Sequence, residues 1–88
     1  MSKNADDQPQ LDVVARAPFH VYYEGPALVV SALNKVGPFD ILPGHADFFS
    51  VLDPSELTIE TETDIVTFDV DNGMISVSDN KVLLFVNM

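Results

Sequence analysis

Leu11-Asp12-Val13-Val14-Ala15-Arg16-Ala17 carries the clearest structural pattern in this chain. Its residues at positions 11, 13, 15 and 17 are apolar, whereas Asp12 and Arg16 occupy alternate positions between them. Successive side chains of a β-strand point to opposite faces, so this alternation predicts a strand with one buried face. No window of the sequence carries an apolar stripe at helical spacing, and the pattern therefore indicates an all-β protein.

More strands are predicted at short intervals after this one. After Pro18, the stretch from Phe19 to Tyr23 alternates again, and Phe19, Val21 and Tyr23 are expected to face inward. Other predicted strands cover residues 27–33, 48–52, 57–63, 65–70, 74–78 and 82–86. Residues 34–45 contain two prolines and two glycines, which predict a loop without a long regular element. This spacing predicts a small β-sandwich or flattened barrel of about eight to ten short, mostly antiparallel strands.

Two turns are predicted near the end of the chain. Asp71-Asn72-Gly73 is typical of a tight hairpin turn, because Asn and Gly tolerate positive φ. A second hairpin is predicted across Asp79-Asn80-Lys81. The acidic residues from Asp69 onward also resemble the start of a calcium loop, but Gly73 stands at the fifth position and Asn80 at the twelfth. An EF-hand needs Gly at the sixth position and Glu at the twelfth, so the hairpin interpretation is favoured.

Length and composition indicate one domain. With 88 residues the chain has room for one modest core. We expect residues 1–10 to form a flexible N-terminal tail and residues 11–88 to form a single β-sandwich domain. No apolar run approaches the roughly 20 residues that span a bilayer, and the N-terminus does not resemble a secretory signal peptide. Nothing in the sequence demands self-association, so a monomer is expected.

The charge of the chain excludes some kinds of partner. Four basic and fourteen acidic residues give a net charge of −10. Such a field repels nucleic acid and disfavours direct contact with anionic lipid headgroups. Solubility is the favoured explanation for this charge, and a protein partner with a basic face is the alternative.

Residues able to support catalysis or bind a metal are few. The chain has no cysteine, and its two histidines are His20 and His45. His20 falls on the polar face of a predicted strand, which favours a surface position. His45 could pair with Asp47, but two side chains do not complete a metal site. We therefore predict no catalytic residue, no metal and no cofactor, and we expect His45 to act in an interface or a structural contact.

One segment carries a resemblance to a known family. Ile41-Leu42-Pro43-Gly44-His45-Ala46 matches the core of a Gly-Ile-Leu-Pro-Gly-His-Ala signature. With the stretches around Val13, Gly25, Val51 and Ile75 in the same order, the chain resembles the N-terminal domain of the ε subunit of F-type ATP synthases (the delta/epsilon family). The resemblance runs from about Leu11 to Val86.

Some features depart from the family pattern. Asp40, Asp47 and Ser55 replace a Gly, a Pro and a Gly respectively, and they make the loop edges more polar and acidic. Members of the family usually continue into a C-terminal helical hairpin that can inhibit ATP hydrolysis and, in some members, binds ATP. Because this chain stops at Met88, we expect neither an inhibitory switch nor an ATP site within these residues.

The resemblance implies a non-catalytic role in a rotor. Such a domain docks on the γ subunit and on the loops of the c ring, and it helps to couple proton transport with ATP synthesis. It would lie on the cytoplasmic side of the membrane and reach the membrane only through the complex. The positions implied to face the c ring are Lys35, Val36, Gly37, Pro38 and Phe39, and those implied to lie near γ are His45 and Ser50.

Two alternatives remain open from the sequence. Phe39 could be an exposed interface anchor, or it could plug the end of the sandwich. The chain could also be a free-standing acidic β-sandwich that binds a different protein partner. A small enzyme is disfavoured, because the groups that catalysis needs are missing.

Overall fold

A computed structural model describes residues 9–88, which form nine β-strands in two sheets. The strands are β1 (Leu11–Ala17), β2 (His20–Ala27), β3 (Val29–Asn34), β4 (Gly37–Ile41), β5 (Phe48–Leu52), β6 (Ser55–Glu60), β7 (Ile65–Val70), β8 (Gly73–Ser78) and β9 (Lys81–Val86). The prediction of an all-β sandwich is confirmed. Of the predicted flexible tail, residues 1–8 lie outside the described residues.

The strands divide into a five-stranded sheet in the order β2-β1-β9-β8-β5 and a four-stranded sheet in the order β4-β3-β6-β7. The pairing of β1 with β9 is parallel, and the other strand pairs are antiparallel. No helix long and apolar enough to cross a bilayer occurs between residues 9 and 88.

The core lies between the sheets and is made by the alternate residues that the sequence pattern predicts. On β1 the residues at 11, 13, 15 and 17 are all buried, as expected from their alternation. Ile75 and Leu84 pair directly on neighbouring strands, and both are fully buried. Truncation of such a side chain to Ala costs about 2–5 kcal/mol, so each of these central positions is important for folding.

Two of the residues predicted to face inward between Phe19 and Tyr23 do not, since Phe19 lies in the β1–β2 turn and Val21 on the outer side of β2. Phe19 and Val21 are exposed, whereas both Tyr22 and Tyr23 are half-buried and pack against the core. The pairing with β1 explains the difference, because Ala15 pairs with Tyr23 and the next residue of β1 pairs with Val21. Tyr22 is thus the extra residue of a β-bulge, which interrupts the alternation on that strand.

The segment predicted as a loop between residues 34 and 45 contains a strand. β4 pairs with β3, and Pro38 lies opposite Leu33. Proline cannot donate a backbone hydrogen bond, but β4 is an edge strand, so only one of its sides needs donors. The prolines and glycines therefore shorten this strand without preventing it.

The prediction of a hairpin turn is wrong at Asp71-Asn72-Gly73 and confirmed at Asp79-Asn80-Lys81. Residues 71–73 join β7 of one sheet to β8 of the other, so they form no hairpin, and positive φ occurs at neither Asn72 nor Gly73. Asp79 and Asn80 do have positive φ, 53° and 62°, and they close the β8–β9 hairpin.

Aromatic pairs close both open sides of the sandwich. On one side Tyr22 of β2 stacks on Phe68 of β7, with ring centroids 4.3 Å apart and planes 10° apart. On the other side Phe39 of β4 packs against Phe48 of β5 at 5.3 Å. Each pair joins the edge strand of one sheet to the edge strand of the other and so covers the seam between them.

Candidate functional site

The seven residues implied by the family resemblance lie along one side of the sandwich, where β4 and β5 meet. We call this side the β4–β5 edge, and it comprises the β3–β4 turn (35–36), β4, residues 42–47 and β5. Lys35 and Val36 form the exposed tip of the turn, and His45 precedes β5. The remaining four are Gly37, Pro38 and Phe39 on β4 and Ser50 on β5.

Asn34 connects the tip of the turn to β5. Its Oδ1 atom accepts hydrogen bonds from the backbone N–H groups of Val36 (2.9 Å) and Gly37 (3.3 Å), which shapes the turn. Its Nδ2 atom donates to Ser50 Oγ at 3.1 Å. A shallow groove of about 230 Å³ lies between these elements and is lined by Asn34, Lys35, Val36, Ser50, Val51 and Asp53. One polar side chain thus brings the positions implied for the c ring next to a position implied for γ.

His45 is half-buried and is held by its neighbours. Its backbone N–H donates to Leu42 O at 3.1 Å, and its Nδ1 atom lies 2.8 Å from Ala46 O. The ring packs edge-on against Phe48 with centroids 5.5 Å apart. Gly44 precedes it with φ of 86°, a conformation that favours glycine. The imidazole is therefore fixed in one place beside β5.

Phe39 is half-buried and packs against the core cluster as well as Phe48. Of the two alternatives for this residue, its position agrees with a plug that closes the sandwich. Most of its apolar surface already has partners in the folded chain.

The sequence analysis did not predict a second feature of the molecule. The outer face of the five-stranded sheet is apolar. Cross-strand partners share a face of the sheet. One row of outward side chains runs Val51, Met74, Phe85 and Arg16, and the next runs Phe49, Ser76, Leu83 and Val14. Six of these residues, Val14, Phe49, Val51, Met74, Leu83 and Phe85, form what we call the apolar face.

The apolar face is open to solvent. Phe49 and Val51 are each 63% exposed, and Leu83 and Phe85 are 41% and 37% exposed. Single exposed apolar residues are ordinary, but contiguous ones on neighbouring strands mark an interaction surface. The signal was present at Leu83 and Phe85, which are apolar at positions where strand alternation expects polar residues.

The outer faces of the two sheets also differ in charge. On the five-stranded sheet the outward acidic residues Asp12 and Glu24 are balanced by Arg16 and Lys81. The strands of the four-stranded sheet carry no basic residue, and their outward acidic side chains are Asp40, Glu56, Glu60 and Asp69. Among strand residues, the outward charges are therefore balanced on the five-stranded sheet and only negative on the four-stranded sheet.

Titratable groups give little sign of an active site in the part of the chain that the structure covers. Across residues 9–88, no three His, Asp or Glu side chains are grouped so that they could hold a metal ion. Burial raises the pKa of the Tyr23 phenol, whose hydroxyl donates to Pro26 O. This residue lies on β2, away from both the β4–β5 edge and the apolar face.

Comparison with protein families identifies the domain. The model of the β-sandwich domain of the ATP synthase delta/epsilon chain matches residues 9–88. The chain belongs to this family. The resemblance drawn from Ile41 to Ala46 is thereby confirmed.

Several curated relatives of this chain are named ATP synthase epsilon chain. The protein of Synechococcus elongatus is 32% identical over 77 residues, which cover 88% of this chain and 56% of the relative. The Geobacter sulfurreducens and Trichlorobacter lovleyi proteins are 37% and 35% identical over 57 residues, 65% of this chain and 41% of each relative. This chain spans about half the length of the curated relatives it matches.

Solved structures share the fold. A chain of the Euglena gracilis mitochondrial ATP synthase (OSCP/F1/c-ring) superposes with a TM-score of 0.82 at 18% identity, covering 90% of this chain and 51% of that one. A chain of the Tetrahymena thermophila mitochondrial ATP synthase (central stalk/c-ring) gives 0.76 at 20% identity, covering 89% and 63%. At these identities the likeness establishes the sandwich and its topology.

Proposed function

We propose that this chain is a non-catalytic docking domain of the central stalk of an F-type ATP synthase. In this role it binds the γ subunit and the loops of the c ring and helps to couple proton transport with ATP synthesis. It lies on the cytoplasmic side of the membrane, touches the membrane only through the complex, and needs no cofactor. Membership of the delta/epsilon family supports this role.

The apolar face is the observation that carries the proposal. Phe49 and Val51 on β5 extend it to the strand that also carries Ser50, so one partner can cover the face and reach the β4–β5 edge. Covering this face removes several large apolar side chains from water, at about 25 cal/mol for each Å² buried. The outward charges on its strands balance, so they add little long-range repulsion of a partner. We assign this face, with Ser50 and His45 beside it, to γ.

The tip of the β3–β4 turn is assigned to the c ring. Lys35 and Val36 are exposed, and Asn34 fixes the turn that presents them. Gly37, with φ of 140°, follows the tip and has no neighbouring atoms where a Cβ would lie. This short turn is thus free to approach a polar loop closely. Lys35 is one of only four basic residues in the chain and would favour an acidic contact.

A sandwich suits the transmission of torque. Its two sheets share one packed core, and the aromatic pairs Tyr22–Phe68 and Phe39–Phe48 join their edges. Packed protein interiors have low compressibility, so a load applied at the turn reaches the apolar face with little internal deformation. The chain needs no chemistry of its own for this task.

Binding of the purified chain to its cognate γ subunit tests the proposal. Phe49→Ser should weaken binding about tenfold or more, because a large aromatic side chain that a partner buries carries much of the energy of an interface. Ile65→Ser is the matched control, since Ile65 is 67% exposed but lies on the other sheet. Both variants should keep the far-ultraviolet circular dichroism of the parent.

Two outcomes of this experiment would count against the proposal. If the folded chain forms no complex with γ at micromolar concentration, the stalk role fails, and an acidic module with another partner takes its place. If Phe49→Ser and Ile65→Ser weaken binding equally, γ does not sit on the apolar face.

A further inference from the structure

The edge strand β7 lacks the features that usually protect the edge of a sheet. β2 is interrupted by the bulge at Tyr22 and by Pro26, and β4 contains Pro38. β5 has neither a bulge nor a proline, and it lies beside β3, where Asn34 donates to Ser50, as β7 lies beside β2 through the Tyr22–Phe68 stack. β7 contains no proline, glycine or lysine, and its pairing with β6 has no register shift. Bulges, prolines and lysines are the usual protection of a sheet edge, and β7 lacks all three.

The backbone groups that β7 directs away from β6 can be identified. In an antiparallel pair, residues alternate between those bonded to the partner strand and those that point away from it. Asp69 O accepts a hydrogen bond from the Asn87 side chain and so points away from β6. Residues two and four positions earlier, Thr67 and Ile65, share this orientation. Consistently, Thr61 N donates to Asp64 O at 2.8 Å, which places residue 64 in the opposite set.

Asn87 already occupies one end of this edge. Its Nδ2 atom donates to Asp69 O at 3.0 Å, and its Oδ1 atom accepts from Asp71 N at 2.8 Å. A residue of a neighbouring parallel strand makes the same two bonds, to the C=O of one residue and the N–H two positions later. The amide of Asn87 therefore imitates one residue of an added strand. Within residues 9–88, the outward groups of Ile65 and Thr67 have no such partner among the hydrogen bonds that the structure records.

The surroundings of this edge are acidic. Five carboxylates lie on β7 or next to it: Glu60, Glu62, Asp64, Asp69 and Asp71. The basic residues between positions 9 and 88 are Arg16, Lys35 and Lys81, which lie on β1, in the β3–β4 turn and on β9. A groove of about 250 Å³ borders the start of β7, and Glu62, Asp64 and Val66 are among the residues lining it. An added segment would thus meet negative charge along its whole length.

We propose that the β7 edge from Ile65 to Asp69 binds an extended, basic segment of a partner protein by strand addition. Backbone hydrogen bonds to Ile65 and Thr67 would supply the affinity, as in other complexes formed by strand addition. Lysine or arginine side chains of the segment would meet Glu62, Asp64 and Asp69 and supply the selectivity. The site lies on the other sheet from the apolar face, so this proposal does not depend on the one for γ.

The test uses the whole chain and a synthetic peptide, Lys-Thr-Lys-Val-Lys-Thr-Lys with blocked ends, in a fluorescence anisotropy titration. The wild type should bind it, and added salt should weaken binding, because exposed charges are screened. Thr67→Pro removes an outward N–H at an edge where proline is tolerated, so binding should fall about tenfold or more while the fold persists. Thr67→Val, which keeps the N–H, should bind like the wild type.

The peptide gives a second control that does not depend on the folding of a variant. Two methylated forms of the peptide, one at the odd and one at the even backbone nitrogens, each lack the donors of one edge, and at least one of them should lose binding to the wild-type chain. Glutamate in place of lysine should abolish binding as well. Equal binding of the plain and both methylated forms, or equal binding by Thr67→Pro, would mean ionic attraction alone and would overturn the proposal. Absence of binding to the wild type, or dimers of the chain that Thr67→Pro abolishes, would overturn it too.

Discussion

Gly73 offers the sharpest test of the packing described above. A Cβ atom at this position would lie 2.7 Å from Phe85 O, 2.8 Å from Val86 Cγ1 and 3.0 Å from Val86 Cα. Two of these three atoms belong to the backbone of β9, which is paired on one side with β1 and on the other with β8. That strand cannot shift without disturbing both of its neighbours. The backbone of β9 therefore leaves no room for a side chain at position 73.

The cost of Gly73→Ala follows from this geometry. Overpacking a core costs typically about 1–3 kcal/mol, and contacts with fixed backbone favour the upper end of that range. For a domain of this size, each kcal/mol lowers the melting temperature by about 4–8 °C. We thus expect a loss of about 10–20 °C in a thermal melt followed by circular dichroism, supported by urea unfolding at 25 °C.

Gly44 supplies the matched comparison. Its φ is 86°, and no atom lies within 4 Å of the place where a Cβ would stand. A substitution at Gly44 is therefore opposed by the backbone conformation, whereas one at Gly73 is opposed by steric clash. Asparagine tolerates positive φ better than alanine, so Gly44→Asn should be milder than Gly44→Ala. At position 73 the order should reverse, since asparagine is larger. A stable Gly73→Ala, or a Gly73→Asn that is milder than Gly73→Ala, would refute the steric explanation.

Three further predictions concern single side chains. Asn87→Ala should destabilise the domain by about 2 kcal/mol in urea unfolding, because the Asn87 amide hydrogen-bonds the Tyr22 hydroxyl and the backbone of Asp69 and Asp71. A loss of less than half of that would contradict a stabilising role for these bonds. His45→Ala should weaken γ binding by about 1 kcal/mol with little change in melting temperature, and the opposite pattern would show that its contact with Phe48 is only structural. Burial raises the pKa of Tyr23, so the folded state holds this proton more tightly, and its contribution to stability should be complete below about pH 10 and lost as the pH rises above it. Tyr23→Phe should flatten that decline in alkaline urea titrations, and an equally steep decline in the variant would assign it to other groups.

Much of the fold could be predicted from local patterns. The alternation in β1 showed which of its residues are buried, because the two faces of a strand are distinguished by immediate neighbours. Local patterns failed where a contact distant in sequence decides the conformation. The bulge at Tyr22 depends on pairing with β1, and the strand around Pro38 depends on its place at a sheet edge.

The same distinction between local patterns and distant contacts applies to the candidate site. The Ile41 to Ala46 signature located the β4–β5 edge, because those residues are contiguous in the chain. No contiguous motif could locate the apolar face. Val14 and Leu83, for example, come from opposite ends of the chain and meet only through the parallel pairing of β1 and β9. Each of them alone is an ordinary exposed residue.

The all-β class, most strand positions and the family can be inferred from the sequence, because each depends on residues that are neighbours or form a contiguous motif. Which strands adjoin depends on the folded chain, and so do the apolar face on one sheet, the acidic face on the other and the exposed β7 edge. The tertiary structure also gave Gly73 its role, since the atoms that exclude a side chain there belong to β9. The preference of a residue for a strand or a turn depends on a few neighbouring residues. These surfaces instead arise from contacts between segments distant in sequence, which form only when the core closes.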